Sequence, residues 1–345
     1  MTFILHSNNF GLVSQGVSLS NPGAETGDAT GWTQLNASGP QSRTSGDDSI
    51  TSHSGSFHFS AAASAIQPYW GQTVTLPSEL ETLCDAGRLE AYLSAWRIGF
   101  ASDTDKGYLL LEFLSSGDVW LGGRLSTGTD PTGWTLETLQ CYMPPSTRKI
   151  RVAFAGIRDG GTQCSAYIDD ISLLIGLSDK KIFVLYADDT PEVADWTQDT
   201  GGSALLKATA SLDTTRVWGM DGLTGGNNAA SSAHKDISIP AGASSAVSAG
   251  DAVVHFYSVY GNLNSDDQIR LGVQARNSTP ADTGSLFETS ASPANPNDDN
   301  FPSDLSGAVA TDAITVRLLA EWARVDGTLS DAYFSRAFSF ITIPA

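Results

Sequence analysis

Leu89-Glu90-Ala91-Tyr92-Leu93-Ser94-Ala95-Trp96 alternates residue by residue. Leu89, Ala91, Leu93 and Ala95 share one face, and Glu90, Tyr92, Ser94 and Trp96 share the other. A period of two marks a β-strand with one side on a core. The next stretch repeats the pattern, with Leu109, Leu111 and Phe113 as its apolar row, and Ile269, Leu271 and Val273 match that row later in the chain. Helix signals are weak: Ser78 to Ala86 has room for a turn or two, confined by Pro77 and Gly87. Glycine (34) and proline (14) are spread throughout, and only 17% of residues are charged. That composition suits many short strands joined by turns, so the expected class is all-β.

Working outward, the chain matches itself. Trp32-Thr33-Gln34 returns as Trp196-Thr197-Gln198, and Val74-Thr75-Leu76-Pro77 as Ile237-Ser238-Ile239-Pro240, each proline standing ahead of a glycine, Gly87 or Gly250. Ile150, Val152 and Phe154 match Ile314, Val316 and Leu318, and Tyr167-Ile168 matches Tyr333-Phe334. The spacing is far longer than a solenoid repeat of about 20–50 residues and corresponds to a whole domain. A chain of 345 residues holds two domains of about 150 residues. The expected organisation is two tandem antiparallel β-sandwiches, at 21–177 and 178–345, with 1–20 as an N-terminal arm or an edge strand.

A formal charge of −19, from 38 acidic against 19 basic residues, repels phosphate backbones and anionic lipid. Nucleic acid is not an expected partner, and no apolar run is long enough for membrane insertion. Cys84, Cys141 and Cys164 lack the paired spacing of a zinc site and read as buried free thiols. The opening MTFILHSNNFGLV has no secretory core, so synthesis in a reducing cytoplasm is expected.

Asn21-Pro22-Gly23-Ala24-Glu25-Thr26-Gly27, Gly31-Trp32, Ser54-Gly55-Ser56-Phe57, a Leu-Pro turn, a Pro145-x-Thr147 turn and the closing Tyr167-Ile168-Asp169-Asp170-Ile171-Ser172-Leu173 together resemble the galactose-binding-like jelly-roll superfamily. Carbohydrate-binding modules of the family 4/9 type belong to it, and similar modules are frequent in phage virion proteins. The resemblance spans nearly all of the first copy and reaches the second only through the first. It implies a sandwich of about eight strands whose first and last strands lie together, often with a structural calcium at their junction, and it places the metal oxygens on Glu25 and Asp169. Calcium takes six to eight oxygen ligands, so carboxylates from distant segments would staple the sandwich. In the second copy Asp189 stands for Glu25, but Ser335-Arg336 replace Asp169-Asp170. Calcium is therefore expected in the first copy only, with Arg336 pairing an acidic neighbour in its stead.

Sugar recognition on such sandwiches uses aromatic faces and planar polar groups. The candidates are Tyr69, Trp70, Tyr92, Trp96 and Trp120, with Arg97 and Glu112 adding hydrogen bonds; taken singly, each aromatic reads more readily as core or interface, since a sandwich buries aromatics on both sheets. Trp32 and Trp196 read as core. Trp96 corresponds to Val259, and Trp120 falls near Phe287, which confines a sugar site to the first copy. No GxSxG elbow, HExxH pair, Walker loop or dinucleotide glycine pattern is present. The expected function is non-enzymatic: a structural or adhesion component of a phage-like particle (tail, baseplate or head decoration), contacting other virion subunits or copies of itself and cell-surface polysaccharide. The alternative is a stand-alone carbohydrate-binding protein.

Overall fold

The computed structural model describes residues 14–35, 41–44, 46–61, 68–100, 105–126, 128, 131–158, 162–188, 191, 193–200, 206–208, 222–224, 230–262, 268–277, 287–291, 301–323 and 332–345. It is an all-β protein of two compact units, which change over between Ser178 and Asp179.

The first unit runs β1 (Ser14–Val17), β2 (Thr33–Gln34), β3 (Gln41–Thr44), β4 (Phe57–Ser60), β5 (Tyr69–Thr75), α1 (Glu81–Asp85), β6 (Leu89–Gly99), β7 (Lys106–Leu114), β8 (Trp120–Leu125), β9 (Thr135–Tyr142), β10 (Lys149–Ile157) and β11 (Ala166–Leu177). One sheet has the order β3-β4-β11-β6-β9, with β1 also on β11; the other is β2-β5-β10-β7-β8. Leu89, Ala91, Leu93 and Ala95 of β6 are buried, facing the Leu109, Leu111 and Phe113 row of β7 across the sandwich. Full burial of a side chain such as Phe113 contributes about 1.5–3 kcal/mol. The predicted helical turns form as a 3-10 segment, Ser78–Leu80, followed by α1. Gly87 takes a φ of +68°, the left-handed region in which a residue without Cβ carries no penalty.

The second unit repeats the plan: β12 (Lys180–Asp188), β13 (Thr197–Thr200), β14 (Leu206–Ala208), β15 (Gly222–Thr224), β16 (Ala230–Ser238), α2 (Ser244–Ala249), β17 (Val253–Asn262), β18 (Gln268–Arg276), β19 (Phe287–Ala291), β20 (Phe301–Ala308), β21 (Thr315–Ala323) and β22 (Ala332–Pro344). Its sheets are β14-β15-β22-β17-β20, with β12 on β22, and β13-β16-β21-β18-β19. Strand for strand this is the order of the first unit.

Strand pairing fixes the residue equivalences and corrects two of the sequence matches. Ile150 pairs with Val74, and Val316 pairs with Ile237. Since Val74 matches Ile237, the partner of Ile150 is Val316 rather than Ile314. The same ladder sets Leu109, Leu111 and Phe113 against Leu271, Val273 and Ala275, not Ile269, Leu271 and Val273. Both errors are slips of two residues, the one shift that leaves a period-two pattern unchanged.

Candidate functional site

The first unit's six-stranded sheet carries a β-bulge in its last strand. Asp169 on β11 lies opposite Trp96 on β6, and the register then jumps before Ser172. The extra residue, Asp170, takes a φ of +49°, a conformation Asp tolerates better than most non-glycine residues. Both carboxylates thereby reach His53 and Ser54, in the segment that precedes β4. Asp169 Oδ2 accepts the N–H groups of His53 (3.0 Å) and Ser54 (3.2 Å), and its Oδ1 accepts that of Asp170 (2.8 Å). Asp170 Oδ2 pairs with His53 Nδ1 at 2.7 Å, and its Oδ1 accepts the Ser54 hydroxyl at 2.8 Å. From the opening loop Glu25 takes the N–H of Ser56 (3.2 and 3.1 Å) and of Phe57 (3.1 Å). Gly55, at a φ of +62°, leaves room for the Glu25 carboxylate, which any Cβ there would strike. The opening and closing segments of the unit thus hold one loop between them.

This is also where the resemblance would put calcium. Three carboxylates gather on one turn, and a Cβ on Gly23 would lie 3.2 Å from Asp169 Oδ1 and 3.4 Å from Asp170 Oδ1. Burial pushes the Asp169 carboxyl up to about 6, against the N–H of Ser54, which lowers it; the charge of Asp170 adds to the rise. The carboxylates nonetheless share a turn without sharing a focal point. All six oxygens already accept an N–H or O–H, and among the described residues no group of three or more His, Cys, Asp and Glu side chains is arranged to hold a metal ion.

Beside the carboxylates lies an aromatic patch. The His53 ring stacks on Trp96, with centroids 3.9 Å apart and planes 14° apart, and meets Trp134 edge-on at 6.0 Å. The Trp134 indole N–H is fixed by the carbonyl of Thr51 at 2.7 Å. Leu136, cross-strand partner of Trp96, is 51% exposed. Farther along the same face, the Tyr92 hydroxyl donates to Glu90 Oε1 (2.6 Å), and Gln140 Nε2 donates to Glu90 Oε2 (2.7 Å). Thr138 and Gln140 are exposed and Tyr92 and Trp96 half-buried, so this sheet face is open.

The structure brings together Tyr92, Trp96, Asp169 and Glu25 of the sequence candidates and separates the rest. Trp70 is fully buried among Trp32, Phe59 and Phe154, with ring centroids 5.1, 5.2 and 5.3 Å away. Tyr69 is buried on the other sheet, its hydroxyl donating to Glu112 at 2.7 Å; Glu112 in turn pairs with Arg151. Trp120 opens the edge strand β8 of that sheet. Arg97 follows Trp96 in β6 and so points inward, pairing with Glu137 and donating to the carbonyl of Gly107. Burial raises the Glu137 carboxyl, opposed by Arg97. Sequence reasoning missed His53, Trp134, Leu136 and Gln140. Only the cross-strand register could have found Leu136 and Gln140, and nothing in the spacing joins His53 to Trp96.

In the second unit Val259 lies opposite Ser335, and Arg336 takes the bulge with a φ of +50°. Asp189, the counterpart of Glu25, lies outside the described residues.

No family model matches the chain, and no curated protein matches it. Among solved structures it is similar to the N-terminal CBM22-1–CBM22-2 tandem domain of Xyn10C from Paenibacillus barcinonensis, at 10% identity and a TM-score of 0.32, covering 95% of this chain and 98% of that one. It is also similar to TmCBM61, solved with β-1,4-galactotriose: 20% identity, TM-score 0.31, 45% of this chain and 95% of that one. A third match is the enzymatically active domain of tailspike protein 4 of bacteriophage CBA120, at 15% identity and a TM-score of 0.34, covering 45% of this chain and 21% of that one. The neighbours thus include carbohydrate-binding modules in tandem as well as an enzymatic domain.

Proposed function

We propose that the first unit is a non-catalytic glycan-binding module whose site is the open face of the β3-β4-β11-β6-β9 sheet. The observation that carries this reading is the placement of Trp96 and Tyr92, both half-buried, on the outward face of β6, with Glu90 and the exposed Gln140 beside Tyr92 and the exposed Leu136 beside Trp96. An aromatic or apolar surface flanked by planar hydrogen-bonding groups is complementary to a sugar, which has an apolar C–H face and a rim of hydroxyls. Four residues along a strand span about 13 Å, so a ligand touching both aromatic positions is an oligosaccharide. His53, locked by Asp169 and Asp170, keeps the Trp96 ring in one orientation.

The setting we propose is a phage-like particle, with the protein contacting other virion subunits or its own copies. Three buried free thiols support assembly under reducing conditions. Terminase, portal or tail genes beside this one would bear on that setting; their absence would favour a stand-alone lectin. Calcium at the turn of Glu25 and Asp169 is proposed from the resemblance; an ion there would have to take the place of the N–H groups that these two carboxylates now accept.

A glycan array followed by calorimetry on the best hit tests the binding reading. Saturable oligosaccharide binding weakened about tenfold or more by Trp96→Ala, an effect of roughly 1.4 kcal/mol, is the expected result. Binding that survives both Trp96→Ala and Tyr92→Ala would move the site elsewhere, and silence across the array would leave assembly as the function.

A further inference from the structure

The two copies also differ at the end of the sandwich where the helical turn meets the loop between the ninth and tenth strands of each unit. In the first unit that place is filled by an ion clamp. Arg148 donates to Asp85 through Nη1 (3.0 Å) and Nη2 (2.8 Å), Glu81 lies 3.5 Å from its Nε, and the N–H of Ser146 adds a bond to Asp85 at 3.0 Å.

The ladder places Ile314 where Arg148 stands, since the N–H of Leu76 donates to the carbonyl of Arg148 and that of Ile239 to the carbonyl of Ile314. Counting back from Gly87 and Gly250, which follow the two helices, Ser248 replaces Asp85 and Ser244 replaces Glu81. All three members of the clamp are gone. In their place is a half-open cavity of about 260 Å³, lined by Ile239, Ser244, Ser248 and the Thr311–Ile314 turn. Asp312 is oriented by Asn277, whose Nδ2 donates to it at 3.0 Å, while Ile314 is left 54% exposed beside these polar groups.

We propose that this cavity binds a single neutral pyranose ring. Its size lies just below the range of about 300–1,000 Å³ typical of small-molecule pockets, which suits one ring rather than a chain. Its lining is amphipathic: Ile239 and Ile314 offer an aliphatic surface to the C–H face of a sugar, and three hydroxyls with one carboxylate offer partners for its rim. A guanidinium is disfavoured because the two carboxylates that hold Arg148 in the first unit are serines here. An anion is disfavoured because Asp312 lines the pocket and no Lys or Arg does. The site is independent of the first unit's aromatic face and stands if that reading fails.

Saturation-transfer NMR on the full chain tests it, with methyl β-D-glucopyranoside and methyl β-D-galactopyranoside as probes and arginine methyl ester as the cationic comparison. Working in a Trp96→Ala background removes the first unit's proposed site. Saturable binding of at least one glycoside in the millimolar range is expected, as befits a ligand of about a dozen heavy atoms. The double substitution Ser248→Asp with Ile314→Arg refills the cavity with a clamp this fold already carries, and should weaken that binding by about tenfold or more. Thr311→Val, which keeps shape and removes one hydroxyl, gives a second reading should the double variant fail to fold. The proposal is overturned if neither glycoside binds, if binding is unchanged in every correctly folded variant, or if the arginine ester binds and the glycosides do not.

Discussion

At the bulge in the last strand, the two units keep one backbone and present opposite charge. Asp170 and Arg336 have φ values of +49° and +50°, each at a register jump. In the first unit the bulge turns carboxylates onto the N–H groups of a loop and sets them beside Trp96. In the second, the residue opposite Asp169's counterpart is Val259, and a cation occupies the bulge. The cores differ in a similar way. Trp70 and Phe154 form a cross-strand pair in the first unit, whereas the same rung of the second holds Ala233 and Ala320, with its tryptophan, Trp322, two residues farther along β21 at the position of Gly156. Register survives duplication, while the residues that fill the core change.

The largest expected effects break the core comparison. Trp70→Ala should cost about 3–5 kcal/mol, because Trp32, Phe59 and Phe154 all lose a ring contact and a cavity is left. Ala233→Trp should cost about 1–3 kcal/mol, since the second core already holds Trp322. Urea unfolding followed by fluorescence measures both; an Ala233→Trp variant as stable as the parent would show that the second core has space for an indole at that rung.

Next comes the bulge. Asp169→Ala leaves the N–H groups of His53 and Ser54 without their acceptor, and a loss of about 2–3 kcal/mol is expected. Calcium sharpens the test. Under the proposal, millimolar calcium raises the melting temperature, EDTA reverses the rise and Asp169→Ala abolishes it. A melting curve indifferent to both additions assigns closure of the loop to hydrogen bonds alone.

The sequence carried the sheets because alternation and punctuation are local: the β6 row, the helical turns between Pro77 and Gly87, and the order of landmarks all follow from near neighbours. It misplaced Ile150 against Ile314 because a two-residue shift preserves alternation. It also left Tyr69 and Trp70 undivided, although adjacent residues of a strand face opposite ways and both prove buried, one in the core and one on the other side of its sheet. The aromatic patch was half legible. Trp96 and Tyr92 share a strand, but His53 meets Trp96 only because the bulge carboxylates of Asp169 and Asp170 hold its loop there, a relation between segments more than a hundred residues apart.

The smallest expected effect concerns one arginine that both copies keep. Arg151 and Arg317 occupy equivalent rungs, yet Arg151 pairs with Glu112 on one neighbouring strand, and Arg317 pairs with Asp236 on the other (2.7 and 2.6 Å), where the first unit has Thr73. The Arg317 hydrogen bonds hold the Asp236 carboxyl below its ordinary value, against a partial cost of burial. A depressed folded pKa means that the unfolded chain binds the proton more readily. The contribution is therefore present above the unfolded value of about 3.9 and is lost as pH falls through the lowered folded value. With Asp236 41% exposed, solvent screening keeps it to about 1 kcal/mol or less. Asp236→Asn should accordingly lower stability at pH 7 by that amount and remove part of the decline below about pH 4. Asp236→Thr combined with Gln274→Glu rebuilds the first unit's arrangement and should restore the loss, because Gln274 stands across from Arg317 as Glu112 does from Arg151. A double variant no more stable than Asp236→Asn would show that the pairing partner, once moved, cannot be moved back.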